Sequence, residues 1–374
     1  MPDLPVVQPD AERVSAYVGA WETPANERGG KPSLWAQRPS DFAQFTGAHV
    51  KGQFHPDKLF GRIQRVHWWK DGLPATGRRV RHVLAAFDMS LPRLVERHPS
   101  ADGSTKCVLE TVDGHRIEAV HMPRDVRSPR VTFCISSQVG CAMGCTFCAT
   151  GSMGIVRNLD AGEIVGQVLV LMRELGPDIG QNVNLVFMGM GEPLHNMKNL
   201  QRALEVLCHE EGLGIAPRRI TVSTSGLVSK IDQLRLMQPR PRLAVSVNAT
   251  TDAQRRQTMP VAKKWGLPAL QDALVRWSDD TGEDIMLEYV LLAGENDTDD
   301  DAVRLADFAR PMRHKVNLIP LNEHESAEAH SRPTDDHVDR FTQKLVDAGS
   351  FVFVRRTRGL DVSGACGQLV QERS

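Results

Sequence analysis

From about residue 131 onward, short runs of β-branched and apolar residues alternate with longer segments in which apolar residues recur every three or four positions. The first pattern is typical of buried strands and the second of amphipathic helices, so their alternation predicts βα units around a parallel sheet. The predicted strands are VTFCISS (131–137), NVNLVFMG (182–189), RRITVST (218–224), RLAVSVN (242–248), DIMLEYVLL (284–292), KVNLIPL (315–321) and FVFVRRT (351–357). A helix is predicted after each of them.

Two of these helices have recognisable ends. Asp160 is followed three residues later by Glu163, the spacing of a capping box, which predicts a helix that starts at Asp160. The segment from Asp335 to Ala348 is also amphipathic, and Gly349 is placed as its C-cap. Both helices should cover the outside of the sheet.

Seven strands in this order favour a partial (β/α) barrel, although an open, doubly wound α/β sheet has the same local pattern. In both folds the chemistry lies at the carboxyl ends of the strands. We therefore predict an α/β protein with a barrel over residues 131–350 and a final strand and C-terminal loop over residues 351–374.

The first 100 residues lack this alternation of strand and helix patterns, and we predict that they form a smaller accessory domain. Residues 51–100 contain ten basic and four acidic residues, a local charge of +6, so the rest of the chain carries −7. A basic block of this kind predicts RNA binding. Between this domain and the barrel, residues 101–130 predict a β-hairpin extension that turns at Asp113-Gly114.

Composition limits what the whole chain can be. Its 374 residues include 45 Lys and Arg against 46 Asp and Glu, a net charge of −1, so any nucleic-acid surface has to be local. The seven cysteines are an odd number and do not form a complete disulfide framework. The N-terminus lacks the pattern of a signal peptide, and the longest apolar run, IVGQVLVLM, is too short to span a membrane. These features predict a cytoplasmic enzyme with reduced thiols.

The string CAMGCTFC places Cys141, Cys145 and Cys148 directly after the first barrel strand. Three thiolates this close can hold three corners of an iron–sulfur cluster and leave one iron open for a reacting ligand. Zinc is the alternative, but it requires a fourth ligand that the neighbouring sequence does not supply at a usual spacing.

C-x₃-C-x₂-C with Phe147 before the last cysteine resembles the radical S-adenosylmethionine enzymes. The surrounding segments FCISSQVGCAMGCTFCATGSMGIVRNL, MGMGEPLHN, STSG, VNLIPLN and RGLDVSGACGQL are similar to those of the RlmN/Cfr family of adenosine RNA methyltransferases. The resemblance implies a 4Fe–4S cluster, S-adenosylmethionine as cofactor, and methylation of carbon 2 or carbon 8 of an adenosine in rRNA or tRNA.

The resemblance also implies roles for three more residues. Cys366 would accept a methyl group and then link its methylene carbon to the adenine ring. Cys134 would attack the Cys366 sulfur, form a disulfide and release the methylated base, and Glu118 would take the ring proton. Without the resemblance, Cys134 and Glu118 are interpreted as structural residues.

Cofactor contacts are implied for a further set of residues, most of which lie at predicted strand ends. These are Gly191, Glu192, Ser223, Ser246, Val247, Asn248 and Asn322. The partners implied are RNA and an electron donor such as flavodoxin or ferredoxin, with no membrane and a monomeric enzyme. Two other functions stay open: a radical enzyme acting on a peptide or small metabolite, and a non-catalytic, metal-stabilised RNA-binding module.

Overall fold

The computed structural model describes residues 31–38, 40, 41, 44, 56–64, 84–123, 130–175, 183–355 and 358–369. The strands are β1 (Arg93–Pro99), β2 (Thr105–Glu110), β3 (Arg116–Pro123), β4 (Val131–Cys134), β5 (Gln138–Gly140), β6 (Ile155–Asn158), β7 (Val183–Phe187), β8 (Ile220–Thr224), β9 (Arg242–Ser246), β10 (Ile285–Leu291), β11 (His314–Pro320) and β12 (Val352–Val354). The α-helices are α1 (Pro56–Gln64), α2 (Ala149–Ser152), α3 (Ala161–Leu175), α4 (Met197–Cys208), α5 (Val228–Leu236), α6 (Asp252–Thr258), α7 (Leu267–Thr281), α8 (Asp299–Ala309) and α9 (Asp335–Asp347).

In the described part of the chain, ten strands form one sheet in the order β1-β2-β3-β4-β7-β8-β9-β10-β11-β12. The strands from β4 to β12 in this order run parallel, and β1 to β3 extend the sheet from β4 in antiparallel fashion. The parallel strands follow chain order without the reversal that defines a doubly wound sheet. The predicted partial (β/α) barrel is therefore confirmed, and the doubly wound alternative is wrong.

The seven predicted barrel strands correspond to β4, β7, β8, β9, β10, β11 and β12, with ends shifted by a few residues. The helix predicted at Asp160 is α3, and its capping box forms as expected. The Glu163 amide donates to Asp160 Oδ1 at 2.8 Å, and Glu163 Oε2 accepts from the Asp160 amide at 2.9 Å. Gly349 follows α9 with a φ of +90°, which suits a glycine C-cap.

The predicted hairpin consists of β2 and β3, which turn through Gly114 at a φ of +82°. Sequence analysis missed β1, which lies inside the range assigned to the accessory domain and pairs with β2. Trp35, also from that range, is fully buried in the same core as the barrel helices. Much of the basic block falls outside the described residues.

The core lies between the outer face of the sheet and its helices, where Trp277 of α7 and Tyr289 of β10 are buried. The Tyr289 ring stacks on Phe341 of α9 with 5.8 Å between centroids. Among the residues that the structure describes, no helix is long and apolar enough to cross a membrane.

Candidate active site

The three cysteines of CAMGCTFC lie in the loop between β5 and β6, two short strands that pair with each other. Gly140 adopts a φ of +74°, and a Cβ at this position would lie 2.0 Å from the Gly154 carbonyl oxygen. A side chain there would force the two strands apart, so glycine is required for the tight loop. The Cys141 amide donates to the same Gly154 oxygen at 2.8 Å, which fixes the start of the loop.

Cys141, Cys145 and Cys148 line a cavity of about 170 Å³ at the carboxyl ends of the strands. Burial raises the pKa of Cys141 to about 12 and raises the pKa of the other two as well. A bound cation would reverse this effect, because a coordinating thiol is deprotonated by its metal. No group of three His, Cys, Asp or Glu side chains within the described ranges converges as ligands of a single ion do. Three cysteines from one loop can hold three corners of an iron–sulfur cluster, whereas a structural zinc ion would need a fourth ligand.

Six of the seven predicted cofactor residues line this cavity: Gly191, Glu192, Ser223, Ser246, Asn248 and Asn322. They come from the carboxyl ends of several strands, as expected for a barrel enzyme. Val247 is different: it is buried and is not among the residues that line the cavity. Its amide donates to the Glu288 carbonyl oxygen at 3.0 Å, which ties β9 to β10.

The Glu192 carboxylate is held in place from two sides. Its Oε2 accepts from the Ser225 amide at 2.7 Å, and its Oε1 accepts from the Leu194 amide at 3.0 Å. Burial raises its pKa, while these amides act in the opposite direction. Gly191 precedes it at a φ of +98°, where a Cβ would lie 2.5 Å from the Gln138 Cβ. A fixed, buried carboxylate at the cavity wall is suited to accept hydrogen bonds from an ammonium group.

Cys366 and Cys134 come together although they lie at opposite ends of the barrel sequence. Both line a cavity of about 10 Å³, which has room for about one water molecule. Asn322 Nδ2 donates to the Cys366 carbonyl oxygen at 2.9 Å, and the Ala149 amide donates to the Gly367 carbonyl oxygen at 2.7 Å. These bonds attach the Cys366 loop to the end of β11 and to the cluster loop. Cys366 therefore also lines the larger cavity, beside Cys148.

Glu118 is buried on β3, on the same face as Val120 and Met122, which line the small cavity. Glu118 itself is not among the residues lining either of these two cavities. Its Oε1 lies 3.2 Å from Lys106 Nζ, and its carbonyl oxygen accepts from the Ser136 hydroxyl at 2.6 Å. The role of Glu118 as proton acceptor stays a prediction.

Three site residues were missed by sequence analysis: Arg255, Glu288 and Arg355. Arg255 is fully buried and donates to the carbonyl oxygens of Ser225, Val247 and Ser246 at 2.7, 3.0 and 3.1 Å. Burial lowers its pKa to about 10. Because it binds only main-chain oxygens of other elements, no local motif marks it.

Glu288 and Arg355 face the cavity from β10 and from the end of β12. Glu288 is buried, which raises its pKa, and its Oε2 accepts from Asn317 Nδ2 at 2.6 Å. The pKa of Arg355 is raised chiefly by its interaction with Cys366 and further by Glu288 and Cys134. One guanidinium thus interacts with both cysteines, and it acts against burial by lowering the pKa of the Cys134 thiol.

The parallel barrel and the three-cysteine loop at its carboxyl end together define a radical S-adenosylmethionine enzyme. In agreement, the radical SAM superfamily matches residues 135–308. The cavity and its thiols fit the two cofactors of this class, and the chain uses a 4Fe–4S cluster and S-adenosylmethionine.

Comparison with known proteins identifies the family within this class of enzymes. The chain is 46% identical over 275 residues to "Dual-specificity RNA methyltransferase RlmN 2" of Myxococcus xanthus, covering 72% of this chain and 71% of that protein. It is 40% identical over 335 residues to the RlmN of Desulfosudis oleivorans, covering 88% of each. A solved radical SAM methyltransferase from Sphaerobacter thermophilus has a TM-score of 0.82 and 38% identity, covering 90% of this chain and 98% of that chain. The chain belongs to the RlmN family of RNA methyltransferases.

Proposed function

We propose that this enzyme methylates a ring carbon, at position 2 or 8, of an adenosine in ribosomal or transfer RNA through an S-methylated Cys366. The observation that carries the proposal is the meeting of Cys366 and Cys134 beside the cluster loop. An aromatic ring carbon is not nucleophilic enough to take a methyl group directly, so a protein-bound carbon has to be added and then released. A radical enzyme acting on a peptide or metabolite has no evident use for this second, buried thiol.

Some residues of the site would bind the cofactors, and others would take part in the covalent transfer of the carbon to the base. When bound, the cluster and S-adenosylmethionine supply a methyl group and one-electron chemistry. Cys141, Cys145 and Cys148 would hold the cluster, and Glu192 would accept hydrogen bonds from the methionyl ammonium group. Asn322 keeps Cys366 at the cavity by holding its carbonyl oxygen. The Arg355 guanidinium interacts with Cys366 and Cys134 and lines the cavity that contains both.

Release of the product needs both cysteines. Once the Cys366 methylene radical has added to the ring, Glu118 takes the ring proton and the adduct loses one electron to the one-electron chemistry that the bound cluster would supply, so that aromaticity returns. The Cys134 thiolate then attacks the Cys366 sulfur, so that a sulfur–sulfur bond forms and the sulfur–carbon bond breaks. The carbon leaves on the base as a methyl group after it gains a proton. A dithiol reductant is needed to restore both thiols.

Three further parts of the proposal come from the family resemblance. The electron donor is a flavodoxin or ferredoxin, and the enzyme acts as a monomer in the cytoplasm. Anaerobic reconstitution followed by incubation with RNA from a strain lacking the gene tests the central activity. Mass spectrometry of digested RNA should detect one methyladenosine, whose fragmentation identifies the carbon. Formation of 5′-deoxyadenosine without any methyladenosine would contradict the proposal.

The release step should depend strongly on pH. Burial raises the pKa of the Cys134 thiol to about 12, so only a small fraction is thiolate at neutral pH. Below that pKa the thiolate fraction increases about tenfold per pH unit, and the release rate should rise about 100-fold between about pH 7 and pH 9. Single-turnover decay of the protein–RNA adduct measures this rate. A flat profile would mean that deprotonation of Cys134 does not limit release.

A further inference from the structure

A wide cavity opens at the end of the barrel opposite the cluster. Its volume is about 600 Å³, and its lining includes Thr132 of β4, Arg242 of β9 and Lys315 of β11. All three residues lie at the amino ends of their strands. We call this opening the amino-end mouth. It is separate from the carboxyl end, where the cluster loop and the cofactor residues lie.

The amino-end mouth shares lining residues with the two cavities that contain the reactive cysteines. Met188, Glu288 and Arg355 line both this cavity and the cofactor cavity. Met188 and Arg355 also line the small cavity that contains Cys134 and Cys366. A base that entered from the amino end would therefore reach Cys366 from the side away from the cluster, without displacing the cofactor.

The lining of the mouth has an excess of positive charge. Its basic residues are Arg218, Arg242, Arg313, Lys315, Arg355 and Arg358, and its acidic residues are Glu283, Asp284 and Glu288. Asp284 is shared by Arg313 at 3.4 Å and Lys315 at 3.0 Å. Arg218 and Arg242 are exposed and form no ion pair with any residue in the described ranges. On a chain whose net charge is −1, this local excess favours an anionic partner.

Two exposed aromatic side chains lie on β12 and directly before it, next to β11, which contributes Lys315 and Asn317 to the lining of the mouth. Phe351 and Phe353 are 60% and 44% exposed, and their rings meet edge to face with centroids 4.9 Å apart. Phe353 is paired in register with Asn317, whose side chain lines the mouth, so both point to the inner face of the sheet. β12 is the last strand in the order of the described sheet, which leaves these rings at its edge.

We propose that the amino-end mouth is the surface on which the RNA strand docks, with Phe351 and Phe353 as a stacking platform for an unpaired base next to the target adenosine. This inference rests on the proposed function and adds the route and contacts of its substrate. Single-stranded RNA is bound by cations that contact phosphates and by aromatic rings on which bases stack. Arg218 and Arg242 supply free cations, and the Phe351 and Phe353 rings supply the exposed faces.

Two double variants separate the two kinds of contact. In the Phe351→Ala/Phe353→Ala variant, loss of one stacked base should weaken RNA binding about 5- to 100-fold and leave its salt dependence unchanged. In the Arg218→Glu/Arg242→Glu variant, binding should weaken and the slope of log K against log salt should flatten by about 1.4, because two phosphate contacts are lost. Filter binding of unmodified transfer RNA and ribosomal RNA fragments at several salt concentrations measures both quantities.

Matched variants serve as controls. Arg340→Glu/Lys344→Glu makes the same charge change on α9, outside the barrel, and should bind RNA like the wild type. The Phe351→Tyr/Phe353→Tyr variant keeps both aromatic rings and should bind RNA like the wild type. Methylation of Cys366 by S-adenosylmethionine without RNA, followed as the mass of the intact protein, should persist in every variant and shows that fold and cofactor site are intact.

Each result has a defined meaning. If the wild type methylates RNA while both double variants bind it with unchanged affinity and salt slope, the docking inference is wrong and the proposed function stands. If the wild type neither binds nor methylates either of the two RNAs, both the proposed function and the docking inference are wrong.

Discussion

Replacing Cys366 with Ala should reduce RNA methylation by more than about 1,000-fold, because the atom that carries the new carbon to the base is removed. Cys366 lines the cofactor cavity but is not one of the three cysteines proposed to hold the cluster. The variant should therefore retain its iron content and visible absorption. Methyladenosine is measured by mass spectrometry of digested RNA, and iron is measured in the same protein preparation.

The matched control for this substitution is Cys208→Ala, at the end of α4, where the half-buried thiol packs against the main core. This variant should methylate RNA at the wild-type rate. Methylation by Cys366→Ala at more than a few per cent of the wild-type rate would contradict the S-methylcysteine route. The radical SAM class would be unaffected, since it rests on the barrel and the cluster loop.

Replacing Cys134 with Ala should stop the reaction after carbon–carbon bond formation and trap the protein on its RNA. Cys134 lies beside Cys366 in a cavity with room for about one water molecule, so no other thiol in that cavity can replace it. Up to one RNA per enzyme should become covalently attached, and release of methylated RNA should fall by more than about 1,000-fold. Denaturing gels and mass spectrometry of nuclease-digested protein detect the adduct.

Cys107→Ala provides a closely matched control, because Cys107 is also a buried strand cysteine, 4% exposed against 6% for Cys134. The two substitutions remove the same atom from a similar environment and should cost similar stability. Only Cys134→Ala should accumulate the adduct. An adduct in both variants, or in neither, would contradict the resolving role of Cys134.

The barrel was predictable because its signals are local. Strands such as β10 alternate with amphipathic helices such as α7, and a period of two or 3.6 residues can be recognised within a short window. The capping box of Asp160 and Glu163 likewise depends on residues three positions apart. An exception is β1. Its sequence RLVERHP has few apolar residues, and the segment forms a strand because it pairs with β2.

The site was predictable only in part. The cluster loop is one continuous segment, and Cys366 and Cys134 were identified through family resemblance. No local sequence motif marks Arg355 as a site residue. Its side chain matters because it interacts with Cys366, Cys134 and Glu288, which come from three other parts of the chain. The sequence places Phe351 in a predicted strand, but the two-residue period of a strand does not show which of its two faces is exposed.

The sequence by itself determined the order of strands and helices, the cysteine loop with its glycines, and the family. These features depend on periodicity and on residues that are close along the chain. Only the tertiary structure decided that Cys366 meets Cys134, that Arg355 lines the cavity of both, and that a basic mouth lies at the end of the barrel opposite the cluster. Such contacts depend on how the sheet curves and pairs in register, which brings together side chains far apart in the sequence.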